Sequence, residues 1–193
     1  MRVIAGELRS RILAAPRGMK TRPTSDRLRE TLFNILGPRV EGSRFADLYA
    51  GSGAVGIEAI SRGALHVHFA ENAEPAVAAI RENLKTLGIS KNFMLHERTA
   101  LGALERMKEQ GSTQDLIFLD PPYEAANEYE QVLKLLGSAA HERLLAPNAL
   151  VIAEHATRTP LAERYGHLHR TRERKQGDAT LSFYQIQIST PSP

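Results

Sequence analysis

One stretch of this chain runs from a short apolar segment through paired glycines straight into a helical pattern, and few folds accept that arrangement. Phe45-Ala46-Asp47-Leu48-Tyr49 reads as a strand, Ala50-Gly51-Ser52-Gly53 as a tight turn, and Ala54 to Arg62 as a helix stopped by Gly63. Gly51-Ser52-Gly53-Ala54-Val55-Gly56 matches G-x-G-x-x-G in the context the motif needs, after a strand and into a helix. Gly51 permits the turn, and Gly53 lets a ligand approach the main chain. Glu71 lies twenty residues beyond Gly51, at the end of the next strand pattern, where a carboxylate accepts hydrogen bonds from ribose hydroxyls. A nucleoside-containing cofactor is implied, with a nicotinamide dinucleotide as one candidate.

The surrounding pattern alternates strands and helices. Strands are expected at His66–Glu71, Asn92–Glu97, Leu116–Leu119 and Leu150–Glu154. Helices are expected at 73–87, where Ala76, Ile80, Leu84 and Leu87 share a face before Gly88, at 101–108, 129–136 and 141–145, and over the short segment 161–165. Two long strands, His167–Lys175 and Ala179–Ile188, joined at Gln176-Gly177-Asp178, read as an antiparallel pair. Such alternation predicts an α/β fold with helices on both faces of a sheet. We expect a Rossmann-like sheet of seven strands, mostly parallel, with one antiparallel strand.

The N-terminal segment is different. Val3-Ile4-Ala5 and Ile12-Leu13-Ala14 flank a basic, glycine-containing centre and suggest a small hairpin. Ser25-Asp26 signals a helix start, and Leu28, Leu32, Ile35 and Leu36 form its apolar face, with Arg27 and Arg29 off that face. The expected organisation is a basic N-terminal extension at 1–40 packed on the core, a catalytic domain at 41–189 and a frayed tail at 190–193.

A second constellation sits at Asp120-Pro121-Pro122-Tyr123. It follows the apolar run Leu116–Leu119, and two successive prolines cannot continue a sheet ladder. The loop therefore leaves the carboxyl end of a buried strand, the edge where open α/β sheets bind ligands. It offers an acceptor and a flat ring, which suits a planar substrate bearing an amino group. Asp47, four residues before Gly51, would repel a pyrophosphate. It would attract the ammonium and sulfonium of S-adenosylmethionine. Three acids, Asp47, Glu71 and Asp120, along one edge make a poor cradle for a dinucleotide.

Charge distribution bears on the partner. Residues 1–44 hold ten Lys and Arg against four Asp and Glu, whereas the rest of the chain is slightly acidic. A second basic cluster, Arg170, Arg172, Arg174 and Lys175, lies near the C-terminus. Two local basic patches suggest a polyanion. The chain has no cysteine, so thiolate metal sites and disulfides are excluded, and its seven histidines show no metal spacing. We expect no metal cofactor, no membrane segment, a cytoplasmic location and a monomer.

At this point the motifs resemble a known family. FADLYAGSGAVGIEAISRGA is similar to motif I of class I S-adenosylmethionine-dependent methyltransferases. DPPY resembles the motif of enzymes that methylate amino nitrogens. With RVIAGELRSRIL and TRPTSDRLRETLFNIL, nearly the whole chain resembles the bacterial family that methylates a guanine N2 in 16S rRNA. The resemblance implies that Asp47, Tyr49, Ala50, Gly51, Ser52 and Gly53 line the methionine end of the cofactor. It implies that Glu71 holds the ribose, with Asn72, Thr99 and Ala100 beside the adenine. Arg98-Thr99 stands where many relatives carry an acid before the alanine. Asp120, Pro121, Pro122 and Tyr123 would hold and stack the guanine, and Arg9, Arg11, Lys20, Arg22, Thr24 and Arg27 would contact RNA, with Arg29 a further basic candidate. The small ribosomal subunit or its assembly intermediate is the implied partner. The competing readings are an amino-methyltransferase acting on DNA adenine or protein glutamine, a nicotinamide-dependent oxidoreductase, and a non-catalytic RNA-binding assembly factor.

Overall fold

The computed structural model describes residues 1–16, 25–122 and 126–187. The chain divides into two compact units, Met1–Ala103 and Leu104–Pro193. The expected tail at 190–193 lies outside the described residues.

In the first unit, α1 (Asp26–Leu36) is followed by β1 (Arg44–Leu48), α2 (Ala54–Ser61), β2 (His66–Glu71), α3 (Glu74–Thr86) and β3 (Phe93–Glu97). Helix α4 (Ala100–Glu109) then leads into the second unit. The first three strands are parallel in the order β3-β2-β1, with Asp47 opposite Phe69 and Ala70 opposite His96. The Ser25 hydroxyl caps α1 by accepting the Leu28 amide, as its sequence predicts. Leu28, Leu32 and Leu36 are buried on the face the spacing selects, Ile35 is half-buried, and Phe33 is buried beside them. Phe33 stacks on Phe45 of β1 at 6.3 Å. Helix α2 lies so close to β2 that a side chain at Gly56 would strike the Phe69 ring at 2.2 Å.

The second unit holds β4 (Gln114–Leu119), α5 (Ala126–Leu136), a 3-10 turn at Ala139–Leu144, and β5 (Leu145–Ala156). It ends with β6 (Arg164–Tyr165), β7 (Leu168–Gln176) and β8 (Ala179–Ile186). The strand order is β4-β5-β8-β7-β6, with β4 and β5 parallel and every later pairing antiparallel.

The alternation of strands and helices is as expected, but the strand count is eight. The extra strand is β6, in the segment read as a short helix. Its two residues pair with Leu168 and His169 of β7, while Tyr165 is buried against Tyr184 at 5.8 Å. Tertiary packing of one aromatic ring has overridden a weak local helix signal. β6 and β8 both run against β5, so the expectation of one antiparallel strand is also corrected. The N-terminal arms meet as a short hairpin, with an antiparallel bridge between Arg2 and Ile12, the Val3 amide on the Arg11 carbonyl at 2.9 Å and the Leu13 amide on the Met1 carbonyl at 3.0 Å.

β2 and β3 carry an unusual polar pair. His68 Nδ1 and His96 Nε2 share a hydrogen bond of 2.9 Å, and both residues are buried. Burial, with His66 and His96 adding to it, holds the His68 imidazole down to about 3. The folded value lies below the unfolded one, so the unfolded chain binds more protons in the interval between them. Stability from this group is complete above about pH 6.5 and is lost as pH falls toward 3, by at most about 1.4 kcal/mol per pH unit. Urea unfolding at pH 7 and pH 5 should show the loss, and His68→Leu should flatten the acid slope by about one proton.

Candidate active site

Parallel pairing brings the carboxyl ends of β1, β2 and β3 to one edge of the first unit. Asp47, the turn from Tyr49 to Gly53, Glu71, Asn72, Thr99 and Ala100 all lie there. The geometry of the turn follows from its residues. Tyr49, Gly51 and Gly53 have φ of 64°, 56° and 77°, three left-handed positions in five residues. Two of them are glycines, which adopt this conformation freely. Tyr49 is not, and such a conformation costs on the order of 1–3 kcal/mol. A side chain at Gly51 would meet no atom within 4 Å, so the space over the turn is open to a ligand.

Glu71 holds this edge together. One carboxylate oxygen accepts the Gly51 amide at 2.8 Å, and the other accepts the amides of Asn72 and Ala73 at 2.9 Å each. A single side chain thus fixes both the glycine turn and the two residues that lead into α3. Asp47 is buried, and its Oδ2 accepts the Gly56 amide at 2.8 Å in the first turn of α2. Thr99 caps α4 by accepting the Gly102 amide at 3.2 Å. The three strand ends therefore present side-chain acceptor oxygens, two of them carboxylates. A cationic or hydroxyl-bearing ligand is electrostatically matched to them, whereas a pyrophosphate is not.

The N-terminal extension reaches the same turn, through residues whose importance the sequence reading did not single out. Asn83 is buried on α3, donates to the Ser52 carbonyl at 2.9 Å, and both accepts from and donates to the Ala14 main chain. The fully buried Glu58 accepts the amides of Ile4 and Ala5 at 2.7 and 3.0 Å and pairs with Arg62 at 2.7 Å. Ser61 accepts the Leu8 amide at 3.0 Å. A polar residue at 83, within the apolar spacing of 76, 80, 84 and 87, was the available sequence signal for Asn83.

Of the basic candidates, Arg9, Arg11 and Arg27 are exposed. Lys20, Arg22 and Thr24 lie outside the described residues. Arg29 contradicts its sequence reading, since its side chain is fully buried and donates to the Arg2 carbonyl and to Asp26. The extension folds over it, and burial lowers its pKa against the pull of Asp26. Arg29 is a tie between the chain's first residues and α1, not a phosphate contact.

In the second unit, Asp120 is half-buried, Pro121 buried and Pro122 exposed directly after β4; Tyr123 lies outside the described residues. Tyr129 on α5 is buried beneath this loop. Its hydroxyl donates to the Glu154 carbonyl at 2.7 Å and approaches the Pro121 carbonyl at 3.4 Å. One hydroxyl proton serves the shorter bond, so the Pro121 carbonyl keeps acceptor capacity. Among the described residues, no cluster of three or more His, Cys, Asp or Glu is arranged to hold a metal.

Comparison with known proteins adds the family. The family described as Conserved hypothetical protein 95 matches residues 1–185. The YlbH protein of Bacillus subtilis is 38% identical over 186 residues, covering 96% of this chain and 98% of that protein. Ribosomal RNA small subunit methyltransferase D of Haemophilus influenzae is 38% identical over 162 residues, covering 83% of this chain and 81% of that protein. Among solved structures, a hypothetical protein of Thermus thermophilus superposes with a TM-score of 0.79 at 28% identity, covering 97% and 99% of the two chains.

The close approach at Gly56 yields a direct check. Gly56→Ala should cost about 1–3 kcal/mol by overpacking α2 against Phe69, read as a lowered urea midpoint with unchanged m-value.

Proposed function

This chain belongs to the Conserved hypothetical protein 95 family, and on that premise we propose that it transfers a methyl group from S-adenosylmethionine to the exocyclic N2 of a guanine in 16S rRNA. The observation that carries the reading is the Asp120-Pro121-Pro122 loop, which leaves the end of a buried strand with Asp120 half-buried and the Pro121 carbonyl still able to accept. The name of the Haemophilus relative supports an rRNA substrate.

The first unit's edge suits this cofactor. Asp47 and Glu71 would face its cationic and ribose groups, and the open space over Gly51 would take its chain. Thr99 and Ala100 would flank the adenine by main-chain contact, which removes the need for an acid at Arg98. When bound, the cofactor supplies an electrophilic methyl on a sulfonium.

The remaining chemistry belongs to the loop. The N2 lone pair of guanine is delocalised into the ring and is a poor nucleophile. The Asp120 carboxylate and the Pro121 carbonyl would accept the two N2 hydrogens and hold the lone pair out of the ring plane. Tyr123 would stack on the base. Positive charge developing on the nitrogen is stabilised by Asp120, and the proton leaves to that carboxylate or to water after transfer. Positioning and electrostatics supply the rate, so no strong general base is needed. A paired guanine would first have to leave its stack. Arg9, Arg11 and Arg27 are exposed for phosphate contacts, and the cytoplasm, where ribosomal subunits assemble, is the matching location.

The reading is tested by tritiated-methyl transfer to small subunits from a strain lacking the endogenous activity, with nucleoside analysis of the product. N2-methylguanosine at one position is expected; label in another nucleoside, or none, would overturn it. Asp120→Ala should lower transfer by about 10²–10³-fold while cofactor affinity, measured by calorimetry, stays within about twofold.

A further inference from the structure

The C-terminal basic cluster is not one group of equivalent arginines. Arg170 is half-buried and committed to the fold, donating to the Leu161 carbonyl and to Glu173 at 3.1 Å each and pairing with Glu163 at 3.5 Å. Arg172, Arg174 and Lys175 are exposed and, among the described residues, have no ion pair. The Arg172 guanidinium carbon lies 5.9 Å over the Phe183 ring, which steadies the charged group while the residue stays exposed. Among the described residues, the outer side of β7 is paired at Leu168 and His169 and through the Arg170 amide to Glu163, and its residues beyond these form an open edge.

Strand register places these cations relative to the catalytic loop. Leu119 of β4 is opposite Ala153 of β5, Ala153 is opposite Ser182 of β8, and Ser182 is opposite Glu173 of β7. One step further along the sheet, Asp120 follows Leu119, Glu154 is opposite Leu181, and Leu181 is opposite Arg174. Arg174 therefore lies in the same row as Asp120, three strands away, which is about 14 Å at the usual strand spacing. Lys175 is one residue nearer the sheet's carboxyl edge, and the turn at Gly177-Asp178 is braced there by Thr157. Exposed Arg158 adjoins that brace. Asp178 is the one acid in this turn, so the tip is net cationic.

We propose that Arg172, Arg174 and Lys175, at the carboxyl-edge end of β7, hold the RNA phosphate backbone a few nucleotides from the target base. The inference rests on the reading of the chain as an rRNA methyltransferase. A strand whose base occupies the Asp120 loop has to continue across or away from this edge. Arg174 in register with the loop, with Arg172 on the same sheet face and Lys175 at the edge on the other, gives an electrostatic track that keeps it there. The stiff β7–β8 pair fixes the distance between base site and phosphate site, and this selects substrates in which the flanking strand is already extended in that direction. Arg170 is excluded from the contact because its donors are already used.

The test compares the wild type with the triple variant Arg172→Gln, Arg174→Gln, Lys175→Gln, using an in vitro transcribed small-subunit rRNA fragment and intact small subunits. The expected result is a salt dependence of RNA affinity that is shallower by about 2 units, for three lost single-strand phosphate contacts. KM for the RNA rises about tenfold with kcat and cofactor affinity kept. Arg174→Glu alone, at an exposed position without an ion pair, should weaken binding in a chain of unchanged Tm, so that misfolding of the triple variant does not decide the matter. Equal salt slopes and KM values for an active wild type and its variants would overturn this inference alone. Loss confined to intact subunits, with unchanged affinity for naked RNA, would overturn it in favour of a protein contact. A wild type that neither binds nor methylates RNA would overturn the functional reading, and this inference with it.

Discussion

The three main-chain amides gathered by Glu71 are the constraint on which the candidate cofactor edge depends. A glycine turn that leaves one strand and a helix that follows the next have no hydrogen-bonding obligation to each other. The Glu71 carboxylate creates one, because each of its oxygens is committed to a different segment. Asp47 does the same between the end of β1 and the first turn of α2. Asp47 thereby satisfies a first-turn helix amide that would otherwise be orphaned, Glu71 satisfies turn amides, and both keep negative charge at the strand ends. Their structural use and their electrostatic use are one arrangement. The edge that is held rigid is held by the groups that make it acidic, and acidity is what separates a sulfonium cofactor from a pyrophosphate one.

The N-terminal extension is tied to the same place by a different logic. The bonds between its arms run through the amides of Val3, Ser10 and Leu13, and those of Ile4, Ala5 and Leu8 turn to other partners. They are satisfied by side chains of α2, with Glu58 and Ser61 as acceptors. Asn83 then links Ala14 to the Ser52 carbonyl within the glycine turn. The extension is therefore wired to the loop expected to carry the cofactor.

Regular periodicity made most of this legible. Strands β1 to β5 and helices α1 to α5 all stand where apolar spacing and Gly or Ser punctuation placed them, with ends shifted by a few residues, because each buries one face and ends on a residue that stops it. β5 is the main exception in length. It begins at Leu145 because pairing with β4 extends through Gln114, across an irregularity that sequence alone does not reveal. Arg29 was misread because helical spacing shows which face looks inward, not which distant segment, here the chain's first residues, covers the outer one. β6 was misread because two residues are too few to carry a period. The glycine motif and the Asp-Pro-Pro loop were legible as chemistry because their residue types have few other uses. Glu58, Ser61 and Asn83 were not, because a polar residue serving a distant backbone has no local signature.

The two basic regions illustrate the same limit from the functional side. By composition, Arg29 and Arg170 are indistinguishable from Arg27 and Arg172. The structure separates them by where each guanidinium's donors go. Arg29 and Arg170 serve carbonyls and carboxylates of their own fold, so their charges are not available to a polyanion. Arg27, Arg172, Arg174 and Lys175 lie in solvent. A phosphate contact requires a charge that is both exposed and uncommitted, since an ion pair would first have to be broken and its carboxylate would repel the incoming anion. By that criterion the effective basic surface is smaller than the residue count suggests, and what remains in the second unit is concentrated at the strand end that carries the Asp120 row.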